Sequence, residues 1–396
     1  MVVHQAQEHL VQEVAADGSP PSRYVLREHD RPTPATNAAI PTVDVSRLAA
    51  NDPDEAEKLR SALNTWGLFA VTGHGMPGEL LDAILDSTRA FFHLPTHAKH
   101  KYSNLVPSDS DDSHNNNNNN KKFQPEGYGV DRVDTDEQIL DWCDRLYLQV
   151  QPEDERRRQF WPTEPPNLAG LLHDYSLKSQ AVAQLILRAM ARILGFEESF
   201  FVDKVGDESR MPSYARFTYY PPCARPDLVY GLKPHTDNSV VTVLLLDKRV
   251  GGLQVRQPLG DLAVAGEEEE GARWVDVPAM GGHELLVVVG DEMEIMSNAA
   301  FRAPVHRVVV SAEERMSLVV FYQPEPHRAL EPARELVDEE RPARYKTLQA
   351  KTFADGFWDA FALGERTIDF LKVKVGEDGG GGGGDQPNAP AAVPGA

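Results

Sequence analysis

His235-Thr236-Asp237, answered far along the chain by His306 and then by Arg315-Met316-Ser317, are the residues with the clearest chemical potential. Two imidazoles and one carboxylate can hold one face of an octahedral metal and leave three positions open, the donor set that suits Fe(II) in oxygen chemistry. An arginine shortly after the second histidine is what a dicarboxylate co-substrate needs, because a guanidinium forms a two-pronged pair with a carboxylate. A His-x-Asp by itself is a weak signal, and position strengthens it. His235 and Asp237 follow Pro234 and precede the apolar run 240–246, so both should project from a strand-leading loop with Thr236 turned away. His306 lies in the strand-like run 305–310 next to Pro304. The expectation is that opposite strands of a barrel bring the three side chains together; the plain alternative for His306 is a hydrogen-bonded polar group within a sheet.

Arg315 comes soon after His306, beyond the turn Ser311-Ala312-Glu313-Glu314, a spacing that predicts a hairpin. Arg315 and Ser317 should then start the neighbouring strand and face the same interior. A buried arginine there is costly unless it meets an anion. The bland reading is an ion pair with Glu313 or Glu314. Tyr219-Tyr220-Pro221-Pro222 places a phenol at a strand end, where it could donate to the same ligand.

The elements that must position these residues are short and β-rich from 213 onward. Candidate strands are 215–220, 240–246, 252–255, 274–277, 285–289, 305–310 and 316–322. Many short strands in succession argue for a sandwich or barrel rather than a parallel sheet. The fold class expected is α+β, with a double-stranded β-helix (jelly roll) core and helices packed on one outer face. The N-terminal third reads as helices with one or two strands: Leu59, Leu63 and Trp66 share one helical face, and Leu80, Leu81, Ile84, Leu85, Thr88 and Phe91 another. His74, in Gly73-His74-Gly75, reads as turn chemistry rather than a ligand. A long apolar-striped helix over 167–194, stopped by Gly195, suits a spine for the sheet. A last helix near 342–363 places Phe353, Phe357, Trp358 and Phe361 over a barrel mouth. The organisation expected is an N-terminal region at 1–107, a low-complexity asparagine-rich loop at 108–122, and a connecting and spine-helix region at 123–210. The jelly-roll core follows at 211–326, then a C-terminal helical region at 327–375 and a disordered tail at 376–396. The insert 260–271, with its four consecutive glutamates, reads as an extended hairpin loop.

A formal net charge of −21 argues against broad contact with nucleic acid or anionic lipid. The chain has only two cysteines, Cys143 and Cys223, so no disulfide framework is expected. The first thirty residues lack a long apolar stretch, and charged and polar residues interrupt every apolar run, so nothing approaches the roughly 20 apolar residues of a membrane helix. The expected location is the cytoplasm and the expected state a monomer. His283-Glu284-Leu285-Leu286-Val287 lacks the second histidine of a zinc-protease helix, and Gly379 to Gly384 is a homopolymer, not a phosphate loop.

Taken together, Gln138-Ile139-Leu140-Asp141-Trp142, Tyr219-Tyr220-Pro221-Pro222, Pro234-His235-Thr236-Asp237, Gly290-Asp291, Ser297-Asn298 and Arg315-Met316-Ser317 resemble the plant 2-oxoglutarate and Fe(II) dependent dioxygenases of specialised metabolism. The resemblance runs from Arg23-Tyr24-Val25 to Ile368-Asp369, nearly the whole chain. Met293-Glu294-Ile295-Met296-Ser297-Asn298 looks most like the branch of alkaloid-, flavonoid- and indole-modifying members, melatonin hydroxylases among them. By that resemblance His235, Asp237 and His306 would be the metal ligands. Arg315 and Ser317 would take the distal carboxylate of 2-oxoglutarate, with Tyr220 nearby. Tyr128, Arg216, Phe321 and Gln323 would line the organic substrate pocket. The chain departs from the family at three places. Thr218 stands where asparagine usually supplies a co-substrate hydrogen bond, Ala299 stands where glycine is common, and the acidic insert is unusual.

The reaction so implied consumes O2 and 2-oxoglutarate, releases succinate and CO2, and hydroxylates a C–H bond of a small, partly aromatic metabolite, with ascorbate as reductant. Alternatives on the same scaffold are O-demethylation, desaturation or an ascorbate-dependent oxidase. A non-catalytic ligand-binding protein would leave the triad, Arg315 and Ser317 without a purpose.

Overall fold

The runs Val241–Leu246 and Leu285–Val289 are buried at every position, so both of their faces must be covered. The computed structural model describes residues 10–15, 18–107, 121–135, 137–257 and 273–373, and shows how this is done. A major sheet of eight strands runs in the order Thr42–Asp44, Leu68–Thr72, Leu285–Val289, Val241–Leu246, Arg315–Tyr322, Ser213–Tyr220, Asp144–Gln151, Gly127–Gly129. A minor sheet of five runs Thr36–Asn37, Arg273–Asp276, Leu253–Gln257, His306–Val308, Leu232–His235. Val243, Leu245, Val287, Leu318 and Val320 form one core with the spine helix Leu168–Ile193. The alternating residues Leu244, Leu246, Leu286, Val288 and Val319 form a second core with Leu253, Val255, Val275 and Val308 of the minor sheet. That is the α+β jelly roll with helices on one outer face. Gly195, in the left-handed region at φ 80°, follows the end of the spine helix.

Several expectations need correction. The N-terminal third contributes more strands than one or two, and Leu68–Thr72 lies well inside the major sheet, beside Leu285–Val289. Asp144–Gln151, also in that sheet, was not among the candidate strands although Leu146, Leu148 and Val150 alternate into the core. Lys121-Lys122, placed in the low-complexity loop, belong to the strand Lys121–Phe123, which pairs with Leu105–Pro107. The asparagine tract, the acidic insert and the C-terminal tail lie outside the described residues. The last helix is Ala350–Leu363, shorter than expected, and its Phe353 turns into the helix-side core rather than the barrel mouth. The predicted hairpin from His306 to Arg315 does not exist. His306–Val308 pairs in the minor sheet and Arg315–Tyr322 in the major one, so the intervening turn crosses between sheets.

Cys143 and Cys223 are both free and buried. His74 serves its turn: its Nδ1 accepts from the Met76 amide at 3.1 Å, and its Nε2 donates to the His283 carbonyl at 2.9 Å. Among the described residues no helix is long and apolar enough to cross a membrane.

The short helix Asp291–Met296 ends in two consecutive left-handed residues, Asn298 at φ 51° and Ala299 at φ 65°. The Ala299 amide returns to the Glu294 carbonyl at 2.8 Å, so the bend is built into the chain's hydrogen bonding. A side chain there opposes that backbone shape, which explains why glycine would be favoured. Ala299→Gly is expected to stabilise the protein by about 1 kcal/mol, less what the lost methyl contributed to packing. A urea unfolding midpoint that falls instead of rising would refute this.

Candidate active site

Antiparallel pairing of Leu232–His235 with His306–Val308 sets His235 directly opposite His306. The two histidines therefore meet on neighbouring strands, not on opposite strands as the sequence suggested. Their ring centroids are 4.2 Å apart. Asp237, just past the strand end, brings Oδ1 to 3.7 Å from His235 Nε2 and 3.4 Å from His306 Nε2. One donor atom from each of the three residues lies within 4.8 Å of the others, a spacing a single metal ion can bridge.

The tautomers are fixed from behind. His235 Nδ1 lies 2.8 Å from the Lys233 carbonyl and His306 Nδ1 lies 3.1 Å from the Pro304 carbonyl. A carbonyl only accepts, so Nδ1 donates in both rings and Nε2 is presented to the centre. Burial, reinforced by His306, holds His235 down at about 3, so it is neutral and ready to ligate. Burial also pulls on His306, but the Asp237 charge outweighs it and raises that ring's pKa. Burial pushes Asp237 up, and the two histidines reverse this to leave it lowered. Asp237 Oδ2 is buried without a hydrogen-bond partner. An anionic carboxylate with an idle oxygen beside two imidazole acceptors fits a cation such as Fe(II).

The triad opens into a cavity of about 200 Å3 between the two sheets. Arg315, Ser317 and Tyr220 line it, entering from the major sheet, where Arg315 is paired with Tyr220 and Ser317 with Thr218. Arg315 is buried with its guanidinium 5.0 Å from the Tyr220 ring centre, and its Nε and Nη1 lack hydrogen-bond partners. The bland reading of Arg315 fails: Nε and Nη1 meet neither Glu313 nor Glu314, and Glu314 is engaged by Arg89, His93 and Tyr219. Burial pushes the Tyr220 phenol up, against the Arg315 charge and a hydrogen bond with Ser317.

Of the residues expected to line the organic substrate pocket, Arg216, Phe321 and Gln323 lie along this cavity. Tyr128 does not. Its strand Gly127–Gly129 turns it toward the helix side, where it packs edge-on to Phe91 at 5.6 Å and donates to Gln12 Oε1 at 3.2 Å. The face of the strand reversed the expected role, because pairing with Asp144–Gln151 sets its orientation. Arg216 is itself engaged. Asp131 accepts from its Nη1 and Nη2 at 2.9 and 2.8 Å, and from Arg145 Nε at 2.6 Å. Burial would raise the Asp131 carboxyl, but Arg216 and Arg145 hold it well below the usual range. Thr218 accepts from Arg216 Nε at 3.2 Å, so the residue standing in for asparagine serves this cluster. Tyr147 and Tyr214, stacked at 5.6 Å, also line the cavity and were missed. The alternation Tyr214, Arg216, Thr218, Tyr220 on one strand face could have revealed Tyr214. Phe357, Trp358 and Phe361 of the helix Ala350–Leu363 close the mouth, with Phe361 edge-on to His235 at 5.7 Å.

A largely buried two-histidine, one-carboxylate set inside a jelly roll is the donor arrangement of non-haem metal oxygenases. The 2OG-Fe(II) oxygenase superfamily matches residues 213–324, and the non-haem dioxygenase N-terminal region, described from morphine synthesis, matches 40–168. Jasmonate-induced oxygenase 4 of Arabidopsis thaliana is 30% identical over 91% of this chain and 96% of its own. Flavonol synthase/flavanone 3-hydroxylase of Eustoma exaltatum subsp. russellianum is 30% identical over 84% of this chain and 92% of its own. The crystal structure of JOX2 in complex with 2OG, Fe and JA superposes with a TM-score of 0.76 at 28% identity, covering 92% of this chain and 98% of that one. The chain belongs to the plant 2-oxoglutarate and Fe(II) dependent dioxygenases. It is an oxidoreductase that uses Fe(II) and 2-oxoglutarate, with ascorbate as the reductant typical of the family.

Tyr128→Phe tests the correction above. It should remove one hydrogen bond to Gln12, cost about 1 kcal/mol of stability, and leave the KM for 2-oxoglutarate and for any organic substrate unchanged. A rise in organic-substrate KM would return Tyr128 to the pocket.

Proposed function

We propose that the enzyme hydroxylates a small, planar, weakly polar metabolite, with an indole, flavonoid or alkaloid skeleton as the substrate class. In this reading His235, Asp237 and His306 hold the iron. Arg315 and Ser317 take the distal carboxylate of 2-oxoglutarate beside Tyr220, and Phe321, Gln323 and Arg216 line the substrate end. The observation that carries it is the buried, partnerless face of Arg315 opening on the same cavity as the three-donor set. A guanidinium left so would cost several kcal/mol, which a carboxylate removes. When bound, Fe(II) supplies the oxidising chemistry that couples O2 and 2-oxoglutarate to oxygenation of the substrate.

The chain's own residues bind, orient and shield. Nδ1 donation from each histidine keeps Nε2 directed at the centre. Arg315 fixes the far end of the co-substrate by a fork that a lysine cannot reproduce. Tyr147, Tyr214, Phe321, Phe357, Trp358 and Phe361 give an aromatic lining that excludes water and stacks on flat rings. Arg216 keeps two N–H groups beyond those Asp131 and Thr218 take, enough to orient a carbonyl or hydroxyl. One relative's name, flavonol synthase/flavanone 3-hydroxylase, supports a flat, ring-bearing substrate.

Arg315→Lys should mainly raise the KM for 2-oxoglutarate, by about tenfold or more, and Arg315→Leu should nearly abolish succinate formation. Unchanged 2-oxoglutarate kinetics in the leucine variant would favour the ascorbate-dependent oxidase. For the substrate, succinate release should be screened across indoles, flavonoids and alkaloids, with mass spectrometry for a gain of one oxygen. Turnover confined to small, highly charged compounds would overturn the aromatic-pocket reading.

A further inference from the structure

Thr236 sits between two of the proposed ligands and faces away from the cavity, into a buried polar group that the reaction does not use. Its hydroxyl donates to Asp291 Oδ2 at 3.0 Å and lies 3.3 Å from Arg366 Nε. Because an arginine N–H can only donate, the hydroxyl accepts from Arg366 and its own hydrogen is directed at Asp291. Arg366 Nη2 also lies 3.6 Å from Asp291 Oδ1, an oxygen that has no hydrogen-bond partner. The Asp291 amide donates to the Asp237 carbonyl at 2.8 Å. Asp291 therefore holds the ligand loop at two successive residues. It can come this close because residue 290 is glycine: a Cβ there would overlap the Ser239 carbonyl oxygen.

Arg366 comes from a different part of the chain. It follows the helix Ala350–Leu363, whose Phe357, Trp358 and Phe361 close the cavity mouth. Gly364, left-handed at φ 75°, ends that helix, and the Glu365 amide returns to the Ala360 carbonyl at 2.9 Å. The same stretch of chain thus lines the cavity with three aromatic rings and, through Arg366, holds the loop between His235 and Asp237.

We infer that Arg366 is a positioning residue for the metal centre: through Thr236 and Asp291 it fixes the backbone between His235 and Asp237, and so ties metal affinity to the seating of the covering helix. This rests on the reading that the triad holds the metal. Groups behind metal ligands commonly govern affinity by about 10- to 100-fold, and the same scale is expected here.

The test uses full-length protein freed of metal and titrated without oxygen with Co(II), a redox-stable probe, followed by calorimetry and visible absorption. Arg366→Ala should weaken Co(II) binding by about tenfold or more and alter the absorption spectrum. Its metal-free form, with Asp291 left without its cation, should unfold at a somewhat lower midpoint, and the Co(II)-loaded form should lose more. Arg366→Lys, which keeps the charge beside Asp291, should recover part of the affinity. Thr236→Val should weaken binding in the same direction, and the double variant should lose less than the sum of the two single losses, because both residues act on Asp291 and share one hydroxyl contact. Wild-type affinity and spectrum in Arg366→Ala would overturn the inference. So would a metal-free midpoint that falls as far as the Co(II)-loaded one, which marks a merely structural role, or fully additive losses in the double variant. His306→Ala separates the two levels: if it binds Co(II) as the wild type does, the triad reading fails and takes the inference with it.

Discussion

The register between Leu232–His235 and His306–Val308 is the constraint from which the site follows. An irregularity between the pair His306 with His235 and the pair Val308 with Leu232 lets Leu232 and His235, three residues apart, both line the cavity. Given that offset, sliding either strand by one residue would send one imidazole to the outer face and dissolve the donor set. The register is held by what lies on either side of the histidines. Leu232 and Val308 are paired across the same two strands and sit in the core between the sheets, with Leu253 and Val255 on the next strand. Arg307, pointing the other way, is clamped by Gln254 and the Tyr230 hydroxyl, both at 2.8 Å, and lies 3.9 Å from the Trp274 ring centre. Apolar burial on one face and a fully engaged arginine on the other leave His306 a single orientation. The bland reading of that histidine, a satisfied polar group in a sheet, is half true: its Nδ1 is satisfied, and that is what frees Nε2.

The second requirement is that the major sheet be rigid enough to carry Arg315 into an apolar interior. Its strand pairs with Ser213–Tyr220 on one side and Val241–Leu246 on the other, and its alternate residues Met316, Leu318, Val320 and Tyr322 are anchored in the helix-side core. Tyr322 adds a hydrogen bond to Ser179 of the spine helix at 2.6 Å. The long helix thus does for Arg315 and Ser317 what the minor sheet's packing does for the histidines. Neither sheet alone assembles the site; the cavity exists because one brings the imidazoles and the other brings the guanidinium.

What could be read from the sequence follows from this division. The gathering of His235, Asp237, His306 and Arg315 around one cavity was legible because residue type and flanking strand pattern coincide at each. The jelly roll was legible because its strands are short, apolar and separated by turns. Partner strands were not legible. Ser311 to Glu314 looks like a hairpin turn, and only the sheet assignment shows that it links two different sheets. Tyr128 was misplaced for a related reason: Gly-Tyr-Gly marks a strand, but the face it shows depends on a neighbour, Asp144–Gln151, whose role was not recognised. Arg216 was found while its partner was not, since Asp131 lies in an irregular stretch with no pattern to announce it.

That partner matters to the chemistry of the whole cavity. Two arginines, Arg315 and Arg216, face one space, yet their electrostatic states differ. Asp131 takes both terminal nitrogens of Arg216 and the Nε of Arg145, and the Arg145 guanidinium is set against the rings of Phe123, Tyr147 and Trp358 at 5.2 to 5.7 Å. Attraction for an anion is therefore damped at this end by a carboxylate already in place, whereas Arg315 has no such partner among the described residues. A dicarboxylate and a flat, weakly polar molecule entering together would sort themselves by this difference, the first toward Arg315 and the second toward the aromatic wall. On the proposed reading, the placing of one largely buried aspartate would keep the two ligands apart within a single cavity, as a partition would.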